Sequence, residues 1–166
     1  TLEKIAINGV MAGCRPEHLA VLVALVRAYV GTGAMGKTQA MSTGPNAPLV
    51  LISGPIIERL GFNNSTCAAG PASVSYVNSV IGRALRLILM NIGQAYAGKM
   101  DMDTIGTPNK YSFCLAEHAA KSHWKPWNVE HGFPAESSTL SIALVYPGPD
   151  VLDWTATTPE GFLDTL

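Results

Sequence analysis

Residues 72–97 read ASVSYVNSVIGRALRLILMNIGQAYA and give the clearest structural signal in the sequence. Apolar side chains recur every three or four positions along this stretch, at Val74, Val77, Ile81, Leu85, Ile88, Leu89 and Ile92. This period places the side chains on one face of a helix and predicts that the face is buried. Gly93 and Gly98 are expected to fray or end the helix.

Shorter elements are predicted elsewhere in the chain. The apolar spacing predicts a short helix that ends at Gly13 and a second, almost uncharged helix over about residues 16–30. Short apolar runs predict strands at residues 49–52, 111–115 and 141–146. We therefore predict one domain over residues 1–166, of the α+β class or an irregular α/β arrangement. It should have one layer of three or more helices against a small mixed sheet.

The composition is unusually apolar and poor in charge. Hydrophobic residues make up 48% of the chain and charged residues 14%, and the mean hydropathy is +0.22. More of the surface than usual is therefore expected to be covered by a second polypeptide or by a missing domain. With 11 basic against 12 acidic residues and no basic cluster, nucleic acids and anionic membranes are not expected partners. The longest apolar runs fall well short of the roughly 20 residues that a membrane span needs.

The three cysteines are odd in number and spread along the chain. In the absence of a basic leader sequence, this pattern favours a reducing cytoplasm over a disulfide framework. The chain starts at Thr1 and stops at Leu166 without a clear terminal element. We therefore expect it to be a piece or a subunit of a larger assembly.

A glycine-rich stretch, Gly31–Thr38, matches the phosphate-binding pattern G-x-x-x-x-G-K-T. That chemistry needs a strand entering the loop and a helix leaving it, so that backbone amides converge on the phosphates. Here a predicted helix comes before the loop, and the proline-containing segment 42–48 follows it. We therefore interpret the stretch as the end of a helix and predict no nucleotide site.

Cys14 begins the first segment with potential for chemistry, because it directly precedes the helix predicted near Pro16. Unpaired amides and the helix dipole at such a position can lower the pKa of a thiol and make it nucleophilic. Glu17 and His18 are near enough in sequence to accept its proton or to orient it. The alternative is that Cys14 is a small apolar residue packed at the start of a helix.

Cys114 begins a second such segment, in or near a predicted strand. Glu117 and His118 lie just beyond it, where loops commonly present catalytic groups on a rigid scaffold. Histidines follow in the next loop, and the residue types would suit a transition metal, although their spacing matches no recognised ligand pattern. The cofactor is therefore left open, with a transition metal as one candidate, and the candidate metal ligands are His118, His123, His131 and Cys114.

Arg83 and Arg86 interrupt the apolar face of the long predicted helix, and Asn78 does so one turn earlier. Polar groups in so apolar a helix either reach solvent at its edge or pair inside the protein. One interpretation is that a carboxylate such as Glu17 or Glu117 satisfies them. The other is that they bind a small acidic substrate.

Three segments resemble the bacterial family of UGSC selenoproteins and their cysteine-containing relatives: MAGCRPE at residues 11–17, IGRALRL at 81–87 and PNKYSFCLAE at 108–117. The resemblance extends over nearly the whole chain, with His118 and the stretch Gly31–Gly36 departing from the family pattern. The family is named for a selenocysteine-Gly-Ser-Cys motif, so the resemblance implies redox or thiol-dependent chemistry. No Cys-Gly-Ser-Cys occurs here, which implies that the motif belongs to an upstream domain or a partner subunit.

Three functional hypotheses follow. The first is a subunit or domain of a cytoplasmic thiol-dependent enzyme that acts on a small acidic substrate. In it, Cys14 and Cys114 are redox or nucleophilic groups, Glu17 and Glu117 are acid/base or orienting groups, and Arg83, Arg86 and Asn78 hold the substrate. The second is a metal-dependent hydrolase or lyase, and the third is a non-catalytic partner of a catalytic chain.

Overall fold

The structure, a computed structural model, describes residues 1–33, 41–70, 72–146 and 153–165. The helices of the described part are α1 (Leu2–Ala12), α2 (Leu19–Gly31), α3 (Ile56–Leu60), α4 (Val77–Asn91), α5 (Trp127–Glu130) and α6 (Pro159–Leu163). Short 3₁₀ helices occur at Pro16–His18, Pro108–Lys110 and Ala119–Lys121, and the strands are β1 (Ala47–Ser53), β2 (Cys114–Ala116) and β3 (Thr139–Val145). Most of the glycine-rich stretch Gly31–Thr38 lies outside the described residues.

The three strands form a mixed sheet in the order β2-β1-β3. β1 and β2 are parallel, with Val50 opposite Cys114, whereas β1 and β3 are antiparallel, with Val50 opposite Ile142. Parallel neighbours need a crossover connection, and here that connection contains α3 and α4. The predicted α+β fold, with a helical layer against a small mixed sheet, is confirmed.

The core lies between α1, α2 and α4 on one side and the sheet on the other. Because side chains alternate along a strand, Val50 and Ile52 of β1 face the helices, and both are fully buried. Leu25 of α2 and Ile81 of α4 are fully buried against them. In the described residues, every helix is too short or too polar to cross a membrane.

Two glycines allow the layers to approach closely. A Cβ on Gly9 of α1 would lie 2.6 Å from Leu22 Cδ1 of α2. A Cβ on Gly82 of α4 would overlap the Ser112 side chain and lie 2.8 Å from the Phe113 backbone nitrogen, just before β2. The absence of a side chain at Gly82 therefore lets α4 lie directly on the segment that leads into the sheet.

The long helix is shorter than the predicted span of residues 72–97. At its start, Ala72 has a φ of 66°, which is incompatible with an α-helix, and the Ser75 hydroxyl accepts a hydrogen bond from the Val77 amide. At its end, Gln94 has a φ of 62°, so the chain turns away soon after Asn91. β2 likewise begins at Cys114, later than predicted, because Pro108–Lys110 forms a 3₁₀ helix.

Replacing Leu25 by alanine is expected to lower the free energy of unfolding by about 2–5 kcal/mol, because it leaves a cavity in the core. Val30, on the same helix, is 71% exposed, and Val30→Ala should change stability by less than about 0.5 kcal/mol. Urea denaturation followed by circular dichroism measures both. Equal losses in the two variants would contradict the described packing of α2.

Candidate functional site

A groove of about 840 Å³ runs between α4 and the loop formed by residues 97–111. The helix contributes Arg83, Arg86, Leu87 and Met90 to one wall. The loop contributes the opposite wall, including two aspartates and Lys110. Two of the polar residues that interrupt the long helix, Arg83 and Arg86, thus open onto this groove.

A buried ion-pair network holds the loop against the helix. Asp101, which is 6% exposed, accepts hydrogen bonds from Arg86 Nη1 at 3.1 Å and from Lys110 Nζ at 2.8 Å. Lys110 Nζ also lies 2.7 Å from Asp103 Oδ2. Asp103 Oδ1 in turn accepts from the amides of Ile105 at 3.3 Å and Gly106 at 2.9 Å, which fixes the turn of the loop.

Both aspartates of the network are ionised at neutral pH. Burial alone would raise the pKa of Asp101, but hydrogen bonds from Lys110, the Asp103 amide and Arg86 outweigh it and hold the pKa below its ordinary value. The hydrogen bond from Lys110 is the main cause that lowers the pKa of Asp103. Two carboxylates therefore balance two cations, Arg86 and Lys110.

Arg83 lines the groove but takes no part in this network. Its side chain is exposed, and within the described residues it makes no ion pair. The lining therefore carries a local excess of one positive charge on a guanidinium that can bind a carboxylate with two parallel hydrogen bonds.

Sequence reasoning placed Arg83 and Arg86 together but missed Asp101, Asp103 and Lys110. A carboxylate does pair with Arg86, as one interpretation expected, but it is Asp101 and neither Glu17 nor Glu117. One sequence signal was available. In a chain with only 14% charged residues, two aspartates separated by one position and followed by a lysine are an unusual local concentration of charge.

Asn78 lies away from the groove and holds three segments together inside the core. Its side-chain oxygen accepts from the Asn63 amide at 2.8 Å, and its NH₂ group donates to the carbonyls of Asn63 at 2.9 Å and Cys114 at 3.3 Å. Asn78 is 4% exposed and its hydrogen bonds are all internal. This geometry indicates a structural role in place of the predicted contact with substrate.

Cys14 is half-buried, and its thiol donates a hydrogen bond to the Val80 carbonyl oxygen at 3.5 Å. Burial raises the pKa of this thiol to about 11, so the expected lowering of the pKa is wrong. The hydrogen bond of the thiol goes to Val80 and to neither neighbour: Glu17 is exposed, and the Nδ1 atom of buried His18 accepts a hydrogen bond from the Arg15 amide at 3.1 Å. Burial also lowers the pKa of His18.

Cys114 is buried in the core at the start of β2, and complete burial raises the pKa of its thiol far above the ordinary value. Glu117 lies just beyond the end of this strand, as predicted. Its Oε1 atom accepts a hydrogen bond from the Trp127 amide at 2.8 Å. The groove lining includes neither Cys14 nor Cys114, so the two thiols and the arginines do not share that cleft.

The candidate metal ligands do not converge. His118 is half-buried, whereas His123 and His131 are exposed, and His131 Nδ1 lies 2.9 Å from the Trp127 carbonyl oxygen. Across the described positions, no three histidine, cysteine, aspartate or glutamate side chains are close enough to hold a metal ion. The transition-metal interpretation of His118, His123, His131 and Cys114 therefore has no ligand cluster to support it.

The chain matches no family model, no curated protein and no solved structure.

Replacing Asn78 by alanine is expected to lower the free energy of unfolding by about 3 kcal/mol, because it leaves backbone groups of Asn63 unpaired in the core. Guanidinium denaturation measures the loss. If Asn78 instead contacts a ligand, the variant should keep wild-type stability, a result that would overturn the structural role.

Thiol labelling should distinguish the three cysteines. At pH 7.5 we expect fast alkylation at exposed Cys67, slow alkylation at Cys14 and none at Cys114 until the protein unfolds. Mass spectrometry of the digested protein identifies the labelled residue, and Cys67→Ser should abolish the fast phase. Fast labelling of Cys14 or Cys114 in the folded protein would contradict the raised pKa values.

The same pKa values predict how stability depends on pH. Above the ordinary thiol pKa of 9.0, Cys14 ionises in the unfolded chain but stays protonated in the folded protein up to about pH 11. The unfolded state therefore releases protons first, and stability should fall as the pH rises from 9 to 11. Cys14→Ala should show a smaller fall over this range in urea titrations. An identical slope in the variant would show that Cys14 is not responsible.

Proposed function

We propose that this chain binds a small acidic molecule in the groove beside α4, as a subunit or domain of a thiol-dependent enzyme. The observation that carries the proposal is the exposed guanidinium of Arg83, which the ion-pair network leaves without a counter-charge among the described residues. A carboxylate is the natural partner for such a group. The groove volume of about 840 Å³ is within the range of small-molecule sites.

The ion-pair network supports this role because it fixes the site before a ligand arrives. Asp101 and Asp103 hold Arg86 and Lys110 in place, so the floor of the groove needs little rearrangement on binding. Sites that are already ordered lose less conformational freedom when they bind. Arg83 is then the group whose interactions change most between the free and bound states.

The reactive thiol of this enzyme is proposed to come from a second polypeptide or domain. Burial raises the pKa of both Cys14 and Cys114, so neither is a thiolate at neutral pH. Two apolar groove residues, Ile105 and Tyr111, are 91% and 74% exposed, which suits coverage by another chain. The resemblance to the UGSC family, in which a selenocysteine-Gly-Ser-Cys motif would lie outside this chain, agrees with this division of roles.

The cytoplasm remains the proposed location, and the presence of three free cysteines supports a reducing compartment.

The alternative function is a non-catalytic structural partner, which the burial of Cys114 and the partial burial of Cys14 favour. The two functions differ in ligand selectivity. An acid-binding chain should discriminate between a carboxylate and its neutral amide, whereas a purely structural partner should not.

Isothermal titration with succinate, using succinamide as the uncharged analogue, tests the proposed function. Succinate should bind and succinamide should not. Arg83→Gln should weaken succinate binding about tenfold or more, because it removes a charge-assisted pair. Arg59→Gln is the matched control, since Arg59 is exposed on α3 and does not line the groove. Equal binding of the two compounds, or equal weakening in both variants, would overturn acid recognition by Arg83.

A further inference from the structure

Three polar residues form a row across the sheet at the carboxyl edge of β1 and β2. Ile52 pairs with Ala116 in β2 and with Leu140 in β3, so the next row consists of Glu117, Ser53 and Thr139, of which Ser53 and Thr139 are paired directly. Neighbouring strands lie about 4.8 Å apart, which puts Ser53 between the other two. We call these three residues the edge row.

The edge row points to the sheet face opposite the helical core. Ile52, Ala116 and Leu140 pack in or against the core, and side chains alternate along each strand. α5 touches this opposite face, because Trp127 Nε1 donates to Ser141 Oγ at 2.9 Å, two residues beyond Thr139. The Trp127 amide also donates to Glu117 Oε1, so the start of α5 is joined to both outer strands.

Four buried side-chain oxygens without a hydrogen-bond partner belong to the edge row and to Asn128 of α5. They are Glu117 Oε2, Ser53 Oγ, Thr139 Oγ1 and Asn128 Oδ1. The fifth such oxygen of the described residues, Asp103 Oδ2, faces the Lys110 ammonium and is charge-paired. Buried polar atoms are normally paired, so these four oxygens are available to a bound ligand.

Asn128 joins the edge row through its own hydrogen bonds. Its NH₂ group donates to the carbonyls of Pro134 at 3.2 Å, Ala135 at 3.4 Å and Ser137 at 2.9 Å, the last being two residues before Thr139. These bonds use the donor end of the amide and leave Oδ1 as an acceptor. Asn128 is 1% exposed and Ser53 is fully buried, so both oxygens are shielded from bulk water.

The chemistry of these four atoms selects a particular kind of ligand. Asn128 Oδ1 is an acceptor only, and so is Glu117 Oε2 when Glu117 is ionised. The two hydroxyl oxygens can accept hydrogen bonds as well as donate them. The set carries one formal negative charge, and no described basic side chain forms an ion pair with Glu117. Thiolate and imidazole, which select zinc and copper, are missing from the set. Glu117 is half-buried, and a single positive charge beside its shielded Oε2 atom would balance the carboxylate.

We propose that the edge row and Asn128 bind a small monovalent cation, either potassium or a primary ammonium group. The potassium ion and the primary ammonium group each carry one positive charge on a small group, and oxygen atoms bind each of them. The site lies at the carboxyl ends of parallel strands, where open α/β sheets commonly bind ligands. It is separate from the groove, whose lining contains none of the four residues.

Thermal unfolding of the full chain in different chloride salts at constant ionic strength tests the proposal. Potassium chloride or methylammonium chloride should raise Tm by about 3–5 °C over tetramethylammonium chloride, whose cation has no N–H donor and is too large for the site. A rise with potassium alone identifies an alkali-ion site, whereas a rise with methylammonium alone identifies an amine site. Equal Tm values in all three salts would overturn the proposal.

Variants separate cation binding from general salt effects. Glu117→Gln should abolish the dependence on the cation, while Glu130→Gln, which changes an exposed carboxylate on α5, should retain it. If Glu117→Gln fails to fold, Thr139→Val provides the test, because it removes one oxygen with little change in shape and should reduce the Tm difference by at least half. A full Tm difference in Thr139→Val, or its loss in Glu130→Gln, would also contradict the site.

Discussion

The close packing of α4 on the segment leading into β2 is the constraint on which the rest of this structure depends. Gly82 lets the helix backbone contact Ser112 and Phe113, and Asn78 joins the helix to Asn63 and to the Cys114 carbonyl. These contacts fix the crossover between two parallel strands. They also fix the direction of the helix, so that its later turns carry Arg83 to the wall of the groove. One buried helix face thus determines both the core and the site.

Because the chain has few charged residues, the charge distribution of the groove is simple. Only 14% of residues are charged, and a buried network uses Asp101 and Asp103 to neutralise Arg86 and Lys110. Removing any member would leave an uncompensated charge in a partly buried place, which is strongly destabilising. The network therefore serves as scaffold, and Arg83 remains for the proposed contact with an acid. Among the described residues, the groove then has fixed walls and one cation outside the ion-pair network, which suits this proposal.

Much of the fold could be predicted from the sequence, because apolar periodicity reports the burial that decides it. The spacing of Val77, Ile81 and Leu85 correctly predicted the long helix, and the run at residues 49–52 correctly predicted the central strand. The site was harder to predict. The approach of Asp101 to Arg86 depends on how residues 97–111 turn back over α4, which no local pattern encodes. The depressed pKa expected for Cys14 was wrong because tertiary burial outweighs the local helix dipole. The edge row also depends on strand register, since Ser53 and Thr139 are unremarkable in the sequence.

The central claim is that the Arg83 guanidinium recognises a carboxylate in the groove. The most direct measurement is ¹H–¹⁵N NMR of the arginine Nε–Hε groups during a titration with succinate. The account predicts a large, saturable shift of the Arg83 resonance, a small shift for Arg86, which stays paired with Asp101, and none for Arg59. Comparable shifts at all three arginines, or a shift confined to Arg59, would contradict it.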